Sequence, residues 1–251
     1  MTASRGVDRA EVPEAFDEVA DRYDLMVALN PGYHRHLRRS ADALVAAAEA
    51  SARPGQRLRL LDLGCGSGAS TRALLEALEA TGVAAEVTGV DASEGMLREA
   101  RRKSWPPGVR FVKARAEDVA ARADLVAEPL DGAFAAYLVR NIHDRDALLG
   151  SLHDVLAPGG SLVIHEYSVR GRWTAALVWT AVCWLVVVPL GFLTSRRTRL
   201  YRYLWRSVMQ MDSIEELSAR LGRSGFVDVQ ARTVRGWQRH IIHTVRARRE
   251  G

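Results

Sequence analysis

The sequence predicts an α/β fold with a doubly wound, mostly parallel sheet of seven strands. Three observations lead there. Short apolar runs alternate with segments of helical period from residue 56 onward, which implies right-handed crossovers between parallel strands. The first of these runs ends in a glycine-rich turn, Gly64-Cys65-Gly66-Ser67-Gly68, that feeds a helix. Two further short strands close the chain and imply an antiparallel end to the sheet.

Taken in order, Pro13 to Asn30 reads as an amphipathic helix, with Phe16, Val19, Ala20 and Tyr23 at helical spacing. A second helix runs from Tyr33 to Ala50 and stops at Arg53-Pro54-Gly55. The first strand is Leu58 to Leu63, and the helix after the glycine turn extends through Ala80. Glu86 to Val90 is a second strand ending at Asp91, with Ser93 as N-cap of a helix to Lys103. Val109 to Lys113, Gly132 to Tyr137 and Ser161 to Tyr167 supply three more strands, with a helix from Asp144 to Leu156 between the last two. The Leu156-Ala157-Pro158-Gly159-Gly160 segment reads as a sharp turn into the fifth strand. An apolar stretch, Trp173 to Ser195, precedes a helix over Thr198 to Met209. Ser213 with Glu216 forms a capping box for a helix to Arg223, and Phe226 to Ala231 and His240 to Val245 are the closing strands. The expected organisation is one domain over 1–251: N-terminal helices (1–52), a ligand-binding core (56–168), an apolar insertion (169–211) and a C-terminal helix with strands (212–251).

Composition bounds the function. With 251 residues, 48% of them apolar, the chain can bury a full core and is not disordered. The formal charge of +5 comes from arginine, with lysine only at Lys103 and Lys113. Alanine is abundant and asparagine occurs only at Asn30 and Asn141, so the arginine reads as coding bias and the charge is weak evidence for a nucleic-acid or membrane partner. Cys65 lies in the glycine turn and Cys183 in the apolar stretch, contexts that suggest neither a disulfide framework nor a metal site. Met1 to Glu11 has no apolar signal core, and a reducing cytoplasmic setting is expected.

Glycines at a strand-to-helix turn let backbone N–H groups approach a ligand, and an acid such as Asp91 at the end of the next strand accepts hydrogen bonds from ribose. Gly64-x-Gly66-x-x-Ala69 also fits the dinucleotide fingerprint, so these residues alone do not separate NAD from S-adenosylmethionine. Asp62 does. It lies inside the strand, where a carboxylate disfavours a pyrophosphate and favours the cationic sulfonium and amino group of S-adenosylmethionine.

Leu61-Asp62-Leu63-Gly64-Cys65-Gly66-Ser67-Gly68, Val90-Asp91-Ala92-Ser93 and the Pro158-Gly159-Gly160 turn resemble the motifs of class I S-adenosylmethionine-dependent methyltransferases, which have a Rossmann-like fold. Phe16-Asp17-Glu18-Val19-Ala20-Asp21-Arg22-Tyr23-Asp24-Leu25-Met26, Gly32-Tyr33-His34-Arg35, Arg140-Asn141-Ile142-His143-Asp144 and Glu166-Tyr167-Ser168 are similar to the ubiquinone/menaquinone biosynthesis C-methyltransferase family. The resemblance covers most of the chain apart from the apolar stretch. It implies S-adenosylmethionine as cofactor, held by Asp62, Gly64, Gly66, Gly68, Thr71, Asp91, Ala92 and Ala116, with Tyr23 on a lid over it. It implies a prenylated quinol as acceptor; another hydrophobic metabolite methylated on oxygen or carbon is the alternative, and a catalytically idle fold is a third. The sequence departs from the family where Arg115 precedes Ala116, since the family has Asp or Asn facing adenine there and Arg cannot accept that hydrogen bond. Glu117 or Asp118 is the candidate substitute. The Asn-Pro-Pro-aromatic motif of base-modifying enzymes is absent after the fourth strand.

Two residues are candidate catalytic groups. Arg140, fixed positive, suits stabilisation of a phenolate, or else a structural ion pair. His143 suits a general base, or else a loop residue beside the helix cap at Asp144. Glu166 either binds substrate or orients Arg140. No metal is expected.

Trp173 to Ser195 holds 23 residues without a charge, enough to span a bilayer. A single crossing would leave the closing strands on the wrong side, and Arg170, Arg172, Arg196, Arg197 and Arg199 flank both ends alike. A monotopic or re-entrant hairpin at the inner face of the membrane is expected, against the alternative of a cover over the pocket or a dimer interface.

Overall fold

Strand burial follows strand position in the sheet. The computed structural model describes residues 12–17, 20, 24, 30, 32–189 and 199–251. Strands β1 (Leu58–Leu63), β2 (Ala85–Asp91), β3 (Val109–Lys113), β4 (Leu130–Ala136) and β5 (Leu156–Tyr167) are parallel to one another. β6 (Phe226–Thr233) and β7 (Ile242–Arg249) complete seven strands in the order β3-β2-β1-β4-β5-β7-β6, with β7 antiparallel to both neighbours. Central β1 and β4 are each buried at all but one position because helices cover both faces, whereas the edge strand β3 has no fully buried residue. Strand order reverses between β1 and β4, which opens a crevice at their C-terminal ends.

One face carries α2 (Tyr33–Ser51) and α3 (Ala69–Thr81), whose Leu37, Leu44 and Leu74 pack with Leu58, Leu60 and Phe134. The other carries α6 (Arg145–Val155) and α9 (Ile214–Arg223), whose Leu148, Leu149 and Leu217 pack with Leu61 and Leu162. α4 (Glu94–Arg101) lies beside β2 and β3, and α5 (Ala123–Val126) is a single turn before β4. The expected caps are present. Ser93 Oγ accepts from Met96 N at 3.1 Å, Asp144 Oδ1 accepts from Ala147 N at 2.9 Å, and Ser213 and Glu216 bond each other's backbone N–H. Each such cap contributes about 1 kcal/mol.

Three boundaries differ by more than two residues from the sequence expectation. β5 starts at Leu156 because Ala157 to Gly160 form a bulge: Leu130 pairs with Leu156, yet Gly132 pairs with Ser161. β7 runs later than His240 to Val245, because His240 sits at φ 64 and turns the chain, and because Arg246 and Arg248 alternate with buried Val245 and Ala247. Of the helix expected over Pro13 to Asn30, α1 (Val12–Asp17) is present and most of the rest lies outside the described residues. α7 (Trp173–Val182) continues into a π-helical turn, Cys183–Val187, and packs beside α8 (Arg199–Met209). The end of the apolar stretch, 190–195, lies outside the described residues. Among the described residues no helix is long and apolar enough to cross a membrane.

Candidate active site

The crevice at the switch point is floored on one side by carboxylates. Gly64, Gly66 and Gly68, all at positive φ, carry the chain from β1 into α3. A Cβ at Gly64 would stand 2.9 Å from Leu138 Cδ1, so a side chain there collides with the loop after β4. Asp62 has no solvent exposure. Its Oδ2 accepts from Ser70 Oγ at 2.7 Å and Thr71 Oγ1 at 2.6 Å, while Oδ1 has no hydrogen-bond partner among the described residues. Burial outweighs the two hydroxyl bonds and raises the Asp62 carboxyl to about 7. Asp91, at the end of β2, accepts from Gly66 N and Ser93 N, each at 2.8 Å, and burial raises it as well.

The expected residues that the structure describes separate into three groups. Gly64, Gly66, Asp91, Ala92, Ala116 and Arg140 line one cleft. Asp62, Thr71 and Gly68 stand behind its wall: Thr71 is fully buried and positions Asp62, and a Cβ on Gly68 would meet Trp105 at 2.7 Å. His143 is a correction. It is exposed on the turn before Asp144 and is not part of the cleft, because Ile142 takes the inward position and the helix cap turns the chain outward. Tyr23 lies outside the described residues. Arg115 is exposed at the cleft edge, where Glu117, unlike Asp118, joins the wall.

The N-terminal segment is clasped onto the loops that form the cleft. Asp17 Oδ1 accepts from Ser93 Oγ at 2.5 Å and Gly95 N at 2.6 Å. Asp24 accepts from Ser67 Oγ at 2.5 Å and pairs with Lys103 Nζ at 2.6 Å. Val12 and Phe16 of α1 reach the cleft wall.

The opposite wall is aromatic and holds a cation. Tyr137, at φ 57 directly after β4, stacks on Tyr33 with centroids 5.3 Å apart and lies 4.9 Å from the Tyr167 ring. The Arg140 guanidinium lies 6.0 Å from the Tyr137 ring centroid and 5.8 Å from that of Tyr167. Arg140 Nη1 donates to Glu166 Oε1 at 2.7 Å and to the Tyr137 carbonyl at 2.5 Å. Glu166 also accepts from Arg140 N and Tyr167 N, at 3.2 Å and 2.9 Å, so it orients the arginine. Beneath this wall Tyr137 Oη lies 3.1 Å from His165 Nε2, and His165 Nδ1 lies 2.9 Å from Thr244 Oγ1. Full burial depresses His165 to about 3, so its ring is neutral. The sequence reading missed Tyr33, Tyr137 and His165 as site residues; the available signal was an aromatic at a strand end beside the switch point.

A buried carboxylate with one unpartnered oxygen fits a ligand carrying an ammonium group, and the glycine loop with Asp91 fits a ribose beside it. That charge preference is the reverse of a pyrophosphate site. With this sheet, it defines a class I S-adenosylmethionine-dependent methyltransferase. The family model of the ubiE/COQ5 methyltransferase family matches residues 4–243, and the chain belongs to that family. A demethylmenaquinone methyltransferase of Thermus thermophilus is 37% identical over 218 residues, covering 84% of this chain and 90% of its own. The ubiquinone/menaquinone biosynthesis C-methyltransferase UbiE of Ectopseudomonas mendocina is 31% identical over 231 residues, with coverages of 90% and 85%. Among solved structures, the CurJ carbon methyltransferase superposes with TM-score 0.68 at 17% identity, covering 98% of this chain and 62% of that one. The plantazolicin methyltransferase BamL gives 0.66 at 13% identity and 97% of each chain. These two structures share the fold.

Proposed function

We propose that the chain methylates a ring carbon of a hydrophobic, prenylated quinol. The observation that carries this reading is Arg140, fixed by Glu166 between the Tyr137 and Tyr167 rings on the cleft wall. A quinol ring carbon becomes nucleophilic when a neighbouring hydroxyl gives its proton to solvent, and a fixed guanidinium stabilises that phenolate. The methylated carbon then sheds its ring hydrogen as a proton to water, which restores aromaticity. S-adenosylmethionine, when bound, supplies an electrophilic methyl group on a sulfonium. Asp91 on the cleft wall binds and orients its ribose, Asp62 behind the wall sets the negative potential that favours its amino group and sulfonium, and α1 excludes water from the cleft. Tyr33 and Tyr137 offer flat apolar surface for the acceptor ring. Glu166, held by three hydrogen bonds, orients Arg140, and His143 takes no part. The names of the relatives support the acceptor class. The same reading places the enzyme on the cytoplasmic side of a membrane, since its acceptor partitions into lipid and its cofactor into water; buried free Cys65 and Cys183 suit a reducing compartment.

The test incubates purified protein in detergent with methyl-labelled S-adenosylmethionine and a demethylated prenyl quinol reduced in situ. Label should appear on a ring carbon, vanish in Asp91→Ala, and fall by about 10²–10³ in Arg140→Ala. Label on oxygen, or cofactor binding without transfer, overturns the quinol reading and directs the search to other hydrophobic acceptors.

A further inference from the structure

We propose that the exposed face of α7 and its π turn, with the arginines around it, docks the enzyme on an anionic lipid surface and sets the cleft, joined to it by a run of packed aromatic rings, against that surface; the second half rests on the hydrophobic acceptor proposed above. α7 and its π turn are apolar on every side. One stripe, Ala175, Trp179 and Cys183, is buried in the core. The other side is exposed and equally apolar: Trp173 at 77%, Leu177 at 62%, Leu185 at 77% and Val186 at 54%. A helix apolar all round needs an apolar medium on its free side.

Charge identifies that medium. Residues 167–211 contain seven arginines (170, 172, 196, 197, 199, 202 and 206) and no acidic residue. The rest of the chain holds 28 basic against 30 acidic residues, so the whole positive excess lies in this stretch. Coding bias would spread arginine without withdrawing acids from one segment. Arg202 and Arg206 are exposed on α8, which joins α7 through Trp205 Nε1 donating to Thr180 Oγ1 at 3.1 Å. At the other end Arg172 is exposed, and Arg170 leans to Glu216 of α9 at 3.6 Å. An apolar ridge rimmed by arginine, with Trp173 near one end and Trp184 about 16 Å along the axis, suits a helix lying in the headgroup plane. A second copy of the chain fits worse, because a two-fold contact would set the arginines against their own equivalents.

The buried stripe leads to the cleft. Trp179 lies 5.0 Å from the Tyr167 ring, Tyr167 lies 4.9 Å from Tyr137, and Tyr137 stacks on Tyr33 at 5.3 Å. Tyr33 and Tyr137 line the cleft, so buried ring packing joins the docking helix directly to the cleft wall.

The experiment sediments the full chain, without cofactor or quinol, with phosphatidylcholine vesicles and with vesicles containing phosphatidylglycerol. Anionic vesicles should bind at least about tenfold more protein, and added salt should reduce that binding. Leu177→Glu with Leu185→Glu should lower binding by about tenfold or more with Tm and cofactor affinity unchanged. No binding to either vesicle, or equal binding to both, overturns the proposal. So does a dimer that these substitutions dissolve in the absence of vesicle binding. The same variant should match the wild type on a short-chain soluble quinol and lose about tenfold on a long-chain quinol held in vesicles. Equal loss on both overturns the placement of the cleft at the lipid surface. If the wild type methylates neither quinol, the acceptor reading fails while sedimentation still decides docking.

Discussion

The two walls of the cleft treat charge in opposite ways. On the β1–β2 side, Asp62 and Asp91 are buried carboxylates held by hydroxyl and backbone donors, and burial raises both. On the β4–β5 side a buried guanidinium has a carboxylate partner, aromatic faces around it and a neutral imidazole beneath. Among the described residues no cation is paired with the acids of the first wall, whereas the second already pairs its guanidinium with Glu166. A cationic methyl donor therefore belongs on the first, and an acceptor that turns anionic belongs against the second. The direction of group transfer is built into the electrostatics of one sheet.

The largest effects should come from the self-contained wall. Glu166→Gln leaves the guanidinium of Arg140 without its buried counter-charge. Loss of one partner of a buried pair typically costs about 3–5 kcal/mol. Turnover should fall by about 10²–10³ as Arg140 leaves its position. The double variant Arg140→Met/Glu166→Met separates the two losses: replacing a buried pair by apolar residues is often neutral for stability. Urea denaturation should show the double variant as stable as the wild type, with turnover still lost. Recovery of turnover would mean that Arg140 only braces the fold.

This wall also shows where sequence reading succeeded and where it stopped. The parallel strands, the glycine turn, the caps at Ser93, Asp144 and Ser213 and the acids Asp62 and Asp91 were legible because each rests on local spacing. Arg140 and Glu166 were legible as residues, but their mutual contact arises because the turn after β4 meets the end of the adjacent β5, 26 positions on in sequence. Tyr33 and Tyr137 were likewise legible as single residues, but their meeting with His165 was not: the three come from α2, the end of β4 and β5, and only the sheet brings them together. His143 misled because a histidine beside an important arginine reads as chemistry, while the cap at Asp144 turns it outward.

On the open wall the effects should be smaller and governed by pH. Asp62 is raised from 3.8 to about 7 in the folded protein, so the native state holds a proton that the unfolded chain releases. Its contribution to stability is fully present below about pH 4 and is lost as pH rises towards 7. His165 acts in the reverse sense. With its pKa depressed to about 3, its contribution is present above 6.5 and is lost as pH falls. The ligand's ammonium group prefers ionised Asp62, so cofactor affinity should tighten as pH passes through 7. Asp62→Asn should flatten that dependence and weaken binding about tenfold at pH 8, a hydrogen bond to a charged group contributing about 1.5–3 kcal/mol. Calorimetric titration across pH reads it directly. An unchanged slope would place the titrating group elsewhere and remove the first half of the comparison.

The smallest predicted effect asks which side of Tyr137 matters. Its ring faces the cleft, while its hydroxyl points down to His165 Nε2 at 3.1 Å. Tyr137→Phe keeps the ring and its stacking on Tyr33, and strands one nitrogen of a fully buried, neutral imidazole. That loss should cost about 1 kcal/mol, because His165 keeps Thr244 on its other nitrogen. For a chain of this length, 1 kcal/mol lowers Tm by about 2–4 °C. Turnover should stay within about twofold of wild type, since the hydrogen bond lies behind the wall and the reacting ring meets only the aromatic face. Thermal melts and initial rates on one preparation decide between the two sides. A collapse in turnover at constant Tm would make the hydroxyl part of the chemistry, and the second wall would then hold a proton-transfer group as well as a fixed cation.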